Sequence, residues 1–167
     1  KFLEQARKRP WFSQTLFVFV ADHTAGSAGK EDLPVVNYQI PLFIYAPGLI
    51  EPGEVSTLAS QIDLAPTLLG LLNFDYTSTF FGRNVLRSGA VPGRALIGNY
   101  QHLGLFDGLN LAILSPRRSM RRHEDALGSV REIVADPGDL LLRRNIAYYH
   151  VASHALQKGL LAWLPSG

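Results

Sequence analysis

Asp22 and His23 close an apolar run, TLFVFVA, and a small-residue loop, TAGSAG, follows before Lys30. Aspartate offers hard oxygen and a neutral imidazole offers nitrogen, a donor pair that suits a divalent ion such as Zn²⁺ or Mn²⁺. Two neighbours in sequence share one ion when the backbone leaves strand geometry there, because side-chain alternation then no longer drives them apart. An ion needs at least one or two further ligands, and the sequence displays no second obvious cluster of acids and histidines. The same dipeptide also serves as a plain local device, with Asp22 capping a turn and His23 exposed in a loop.

Other side chains could join such a site. Lys30 offers a cation for a phosphate or sulfate oxygen, and beside Glu31 and Asp32 it reads equally as a solvated lysine. Thr24 offers a hydroxyl to a ligand or to a local turn. His102, in the run NYQH, offers a polar-aromatic contact to a sugar or acceptor, or packs within a hairpin. His150 and His154 share a helix face through the spacing HVASH, but the general-base Glu of a HExxH motif is missing. Thr67 is expected to hydrogen-bond backbone rather than act as a nucleophile, and Asp63 is expected to cap a helix. Arg117, Arg118, Arg121, Arg122 and His123 form the densest basic patch, PRRSMRRH. It is expected to be a solvated loop; anionic head groups are the alternative. No aromatic residue interleaves with it, which argues against nucleic acid.

The elements that must position these residues follow from periodicity. A short helix precedes the basic run 7–9 and Pro10 stops it. Residues 15–21 and 40–46 read as short, fully buried, parallel-type strands. Residues 60–74 read as a helix that Ser60 or Asp63 caps, with Pro66 in its first turns. This alternation predicts an α/β sandwich with a largely parallel sheet. After residue 86 the pattern changes. Residues 94–100, 109–114 and 130–134 are strand-like, Asp107-Gly108 signals a hairpin turn, and a long helix follows Asp136-Pro137. Leu142, Ile146, Tyr149, Ser153, Leu156, Leu160 and Trp163 give that helix its expected apolar face. The predicted organisation is 1–86 as α/β core and 87–167 as a small antiparallel sheet plus terminal helix, packed on the same domain.

Composition bounds the rest. The 167 residues are 47% hydrophobic and 18% charged, which suits a packed core. A net charge of +2 is too mild to imply a nucleic-acid partner. The absence of cysteine excludes disulfides and thiolate ligands. No apolar run approaches the ~20 residues of a membrane span. The sequence opens at Lys1 inside a helical pattern, as expected of a fragment or a processed product.

Four motifs in order then become informative: FVFVADHTAGSAGK, QIPLFIYAPG, SQIDLAPTLLGLLNF and FFGRNVL. Together they resemble the C-terminal part of a sulfatase-type domain in the alkaline phosphatase superfamily, over about residues 16–86. The later run RALIGNYQHLGLFDGLNLAIL looks like the phosphoglycerol transferase branch, which includes lipoteichoic-acid-synthase-like enzymes. The resemblance implies an alkaline-phosphatase-like sheet sandwich and a metal-dependent transferase or hydrolase of phosphate or sulfate esters. Phosphoglycerol-type transfer to a glycan or lipid acceptor through a covalent intermediate is the first expectation. Sulfuric ester hydrolysis, or a non-catalytic binding module, is the alternative. It implies Asp22 and His23 as ligands of Mn, Mg, Ca or Zn, with Lys30, Thr24 and His102 toward substrate. It also implies a bacterial inner-membrane enzyme facing the periplasm or outside, anchored by upstream segments. The family's nucleophile and remaining ligands lie before the residue numbered Lys1. These 167 residues are thus expected to carry one wall of a site and to be inactive alone, with metal weak or absent.

Overall fold

The structure is a computed structural model that describes residues 1–24, 32–87, 92–136 and 138–161. Its first strands, β1 (Phe17–Val20) and β2 (Leu42–Tyr45), pair antiparallel, with Phe17 opposite Tyr45 and Val20 opposite Leu42. The expected parallel arrangement is therefore not formed by this pair. Parallel neighbours need a crossover of a dozen or more residues, usually helical. Between β1 and β2 the described residues hold only a 3-10 turn, Val35–Tyr38.

The two strands are also less buried than their composition predicts. Helix α1 (Phe2–Ala6) and the turn after it bring Phe2, Trp11 and Phe12 against Phe17, with ring centroids 5.4–6.2 Å apart. That aromatic cluster covers one end of the ribbon. Phe19, Val20, Leu42 and Phe43, at the other end, are exposed.

The second sheet is a five-stranded antiparallel meander in the order β3 (Ala95–Gly98), β4 (Leu103–Phe106), β5 (Leu111–Ser115), β6 (Ser119–Glu124), β7 (Arg131–Val134). Asp107 makes the β4–β5 turn as expected: its carboxylate accepts from the Leu109 and Asn110 N–H groups, and Gly108 takes φ +104°. Two of the five strands were not expected. β4 lies in the run HLGLFDG, where Gly104 dilutes the apolar signal. β6 holds the second half of the basic patch. Arg117 and Arg118 turn the chain at φ +59° and +60°, and Ser119–Glu124 then pairs with β5. Arg117 and Arg118 lie in an exposed turn, as expected of a solvated loop, whereas Arg121, Arg122 and His123 belong to a strand.

Alternation gives this sheet two distinct faces. One carries Ile97, Phe106, Leu111 and Ile113, packed with Leu33, and half-buried Val35, Tyr38 and Leu58 close over them. Gly104 lies under this contact: a Cβ there would stand 2.8 Å from Leu33 Cδ1 and 2.9 Å from Ile97 Cγ1. The other face carries Leu105 and Ala112 against Leu141 and Leu142 of α3 (Leu140–Gln157). Asp139 caps that helix by accepting from the Leu142 N–H. The buried stripe of α3 is Leu141, Leu142, Asn145 and Ala155, with Tyr148 packed alongside. The expected apolar face is therefore displaced: Leu142 is buried, whereas Ile146, Leu156 and Leu160 are exposed. Asn145 explains the shift. It is fully buried, and its Nδ2 donates to the Leu103 and Ala112 carbonyls, so a polar residue sits at the centre of the contact. Trp163 lies outside the described residues.

One buried ion pair ties the sequence halves together. Ser60 and Asp63 form a capping box at the 3-10 turn Gln61–Asp63, which leads into α2 (Leu64–Leu71). The Asp63 carboxylate then receives a two-pronged contact from Arg94, at 2.6 and 2.9 Å, and the Arg83 N–H at 2.8 Å. Arg94 also donates to the Phe81 carbonyl and the Tyr148 hydroxyl. Gly82 permits the close approach, because a Cβ there would lie 1.7 Å from the Ile62 carbonyl oxygen.

Burial alone would raise the Asp63 pKa. Hydrogen bonds from Arg94 and the Ser60 and Arg83 N–H groups, with the Arg94 charge, outweigh it and hold the group below its ordinary value. A carboxyl depressed in the folded state stabilises above its unfolded pKa, about 3.9, and that stability is lost as pH falls through the folded value. Asp63→Asn should thus lower stability at pH 7 by about 3–5 kcal/mol, since it leaves Arg94 buried without its counter-charge. Urea midpoints measured from pH 7 to pH 3 should fall less steeply in this variant than in the parent.

Candidate functional site

β1 ends at Val20, two residues before Asp22, and the backbone there leaves extended pairing. The Asp22 side chain folds back, and its Oδ1 accepts the His23 N–H at 2.9 Å. His23 Nδ1 lies 3.0 Å from the Thr24 carbonyl oxygen, which makes Nδ1 the protonated nitrogen and leaves the Nε2 lone pair available. Asp22 Oδ2 and His23 Nε2 are 3.5 Å apart. Both side chains are mostly solvent-accessible, 88% and 68% exposed.

This geometry fits half of a divalent-metal site. Tetrahedral ligand atoms about 2.0–2.2 Å from one ion stand about 3.3–3.6 Å from each other. The remaining polar atom of each side chain is engaged by backbone, as metal ligands are usually oriented by outer partners.

Gln61 is a positioning residue that sequence reasoning did not identify. Its Nε2 donates to the Ala21 carbonyl at 2.9 Å and approaches the Asp22 carbonyl at 3.4 Å. The capping turn that holds Asp63 therefore also props the strand end that carries the candidate ligands. The signal was present in the motif SQID, where Gln61 lies between the two capping residues, but nothing local says that it reaches 40 residues back.

The other candidates separate clearly. The Thr24 hydroxyl donates to the Asn37 carbonyl, which anchors the residue after the pair to the 3-10 turn. Lys30 lies outside the described residues. His102 is held in its own hairpin: Nδ1 is 2.7 Å from Ser115 Oγ, and its N–H donates to Asn99 Oδ1. His150 and His154 lie on the exposed side of α3. Thr67 is buried, donates to the Asp63 carbonyl at 2.6 Å and accepts the Val85 N–H at 3.2 Å, so it secures the coda FFGRNVL and is no nucleophile. In β6, Arg121 pairs with Asp32 and Glu132, and Arg122 pairs with Asp139. These pairs neutralise Arg121 and Arg122, while Arg117 and Arg118 stay exposed in the turn before β6.

A second group of ligand-type side chains does exist, contrary to the sequence reading. Asp32, His123 and Glu132 bring one ligand atom each within 4.8 Å of one another. The three are scattered along the chain, so spacing could not reveal them; only the β6–β7 register brings His123 opposite Glu132.

The comparisons agree with this architecture. A sulfatase family model matches residues 1–74, the segment that carries α1, both ribbon strands, Asp22, His23 and α2. Over 98% of its length the chain superposes on an alkaline phosphatase superfamily protein from Vibrio parahaemolyticus, with a TM-score of 0.85 and 27% sequence identity. It spans 40% of that protein's length. The fold is thus a mixed α/β one of the alkaline phosphatase superfamily type.

The role given to Thr67 is measurable. Thr67→Val strands the Val85 N–H and should lower stability by about 1–3 kcal/mol. Thr67→Ser, which keeps the hydroxyl, should cost less, as read from urea midpoints.

Proposed function

We propose that this chain is the C-terminal part of a metal-dependent enzyme acting on phosphate or sulfate esters, and that it transfers a phosphoglycerol-type head group to a glycan or lipid acceptor. One observation carries the reading: Asp22 Oδ2 and His23 Nε2 stand 3.5 Å apart at the end of β1, each with its other polar atom tied to backbone. The match of residues 1–74 to the sulfatase model and the superposition on an alkaline phosphatase superfamily protein support it.

A bound divalent ion would supply charge stabilisation at the ester oxygens and help activate a hydroxyl nucleophile. The chain's own residues prepare for this. The His23 N–H fixes the Asp22 carboxylate, the Thr24 carbonyl sets the imidazole tautomer, and Gln61 holds the backbone that carries both. A Thr, Ser or formylglycine nucleophile and the remaining ligands come, in this reading, from residues ahead of Lys1. That nucleophile attacks the donor ester, the bond to the donor's alcohol breaks and the alcohol leaves with a proton, and the head group stays on the enzyme as a covalent intermediate. An acceptor hydroxyl, or water, then releases it. The enzyme would face the periplasm or the outside from the bacterial inner membrane, anchored by segments outside this chain. No helix among the described residues is long and apolar enough to cross a membrane.

Sulfuric ester hydrolysis is the second reading, favoured by the family of the model that matches residues 1–74. The complete protein carrying Asp22→Ala should lose bound metal and turnover by more than the roughly 10–100-fold that an outer-partner change costs. Metal content by mass spectrometry and release of glycerol phosphate from a phosphoglycerol lipid measure this. Unchanged metal and activity would overturn the proposal, and turnover of an aryl sulfate in place of the lipid would select the hydrolase.

A further inference from the structure

On the Leu33-bearing face of the second sheet, the apolar surface gives way to polar side chains at β6 and β7. Arg121 and His123 of β6 and Glu132 of β7 project from that face, because they are in register with Ile113, Leu111 and His123 respectively. Asp32, next to buried Leu33, comes down on them. His123 Nε2 is 3.2 Å from Glu132 Oε2 and 3.8 Å from Asp32 Oδ2. These separations bracket the about 3.3–3.6 Å between neighbouring ligands of a tetrahedral ion. Asp32 and Glu132 are exposed, so an ion has an entry path, whereas the His123 side chain is only 9% exposed. The strand therefore fixes its ring and aims Nε2 at both carboxylates.

Arg121 decides what the cluster can do. Its Nη2 contacts Asp32 Oδ1 at 2.6 Å, while its Nη1 lies 2.9 Å from Asp32 Oδ2 and 3.4 Å from Glu132 Oε2. The two Nη1 contacts compete with an ion. The Nη2 contact does not, since it holds the oxygen that a singly bound carboxylate leaves over. Two carboxylates face one permanent cation, so Asp32, Glu132 and Arg121 together keep a net negative charge that attracts a further cation. One imidazole nitrogen and two carboxylate oxygens form a donor set for Zn²⁺, Mn²⁺ and similar ions.

We propose that Asp32, His123 and Glu132 form a second divalent-cation site, independent of Asp22 and His23, which fastens Asp32 to β6 and β7. The test uses the chain with both Asp22→Ala and His23→Ala, so that the first pair contributes nothing. Calorimetric titration of this variant with Zn²⁺ should show one equivalent bound, and Co²⁺ should give the visible absorption of a nitrogen- and oxygen-ligated ion. Adding Glu132→Gln or Asp32→Asn should weaken Zn²⁺ by at least about tenfold. Both residues are exposed, so circular dichroism should show the fold retained. Nitrogen NMR of the imidazoles should report the ion on His123 Nε2. No Zn²⁺ uptake by the double variant, or uptake that Glu132→Gln and Asp32→Asn both leave unchanged, would show that the cluster is only an ion-pair contact.

Discussion

The buried contact between Asp63 and Arg94 is the constraint on which most of the structure turns. Two opposite charges are withdrawn from water, and the cost of doing so is offset only because every polar atom nearby is satisfied. The Asp63 carboxylate gathers the Ser60 N–H, the Arg83 N–H and the Arg94 fork. Arg94 in turn reaches the Phe81 carbonyl and Tyr148, whose ring also lies 5.5 Å from the guanidinium carbon. A helix start, a loop, a strand and the terminal helix thus meet at one charge pair, and none of them can shift without stranding a donor or an acceptor.

That constraint reaches the candidate site by a short route. Gln61 lies in the same turn as Asp63, so fixing the carboxylate also fixes the amide that holds the Ala21 carbonyl. Asp22 and His23 are exposed, yet their backbone is referenced to a buried ion pair. This is how an exposed pair keeps defined geometry: its precision comes from behind the strand, not from its own packing. Arg122 and Asp139 play a comparable part on the opposite face of the second sheet, where β6 meets the cap of α3.

The sequence made local features readable and distant ones obscure. Asp22-His23 stood out because two ligand types ended an apolar run, and the helix cap SQID, the Asp107-Gly108 turn and β7 followed from short-range rules. β4 and β6 escaped because a glycine interrupts one and four arginines and a histidine crowd the region of the other. In the folded chain the charges of Arg121 and Arg122 are neutralised by Asp32, Glu132 and Asp139, which no window around residue 120 contains. The face of α3 was misjudged for a related reason. Periodicity favoured Ile146 and Leu156, whereas Asn145 is the buried residue because two sheet carbonyls need its amide. The antiparallel pairing of β1 and β2 was equally illegible, since their Val- and Phe-rich runs would suit either direction.

The order of strands in the second sheet has a kinetic consequence. Each of its five strands pairs with its neighbour in sequence, so every pairing closes a short loop at small entropic cost. Topologies of this kind assemble early. The β1–β2 ribbon must instead bring together strands separated by residues 21–41. The meander is then the platform on which the earlier part of the chain settles, and Asp22 and His23 are among the last residues to find their positions.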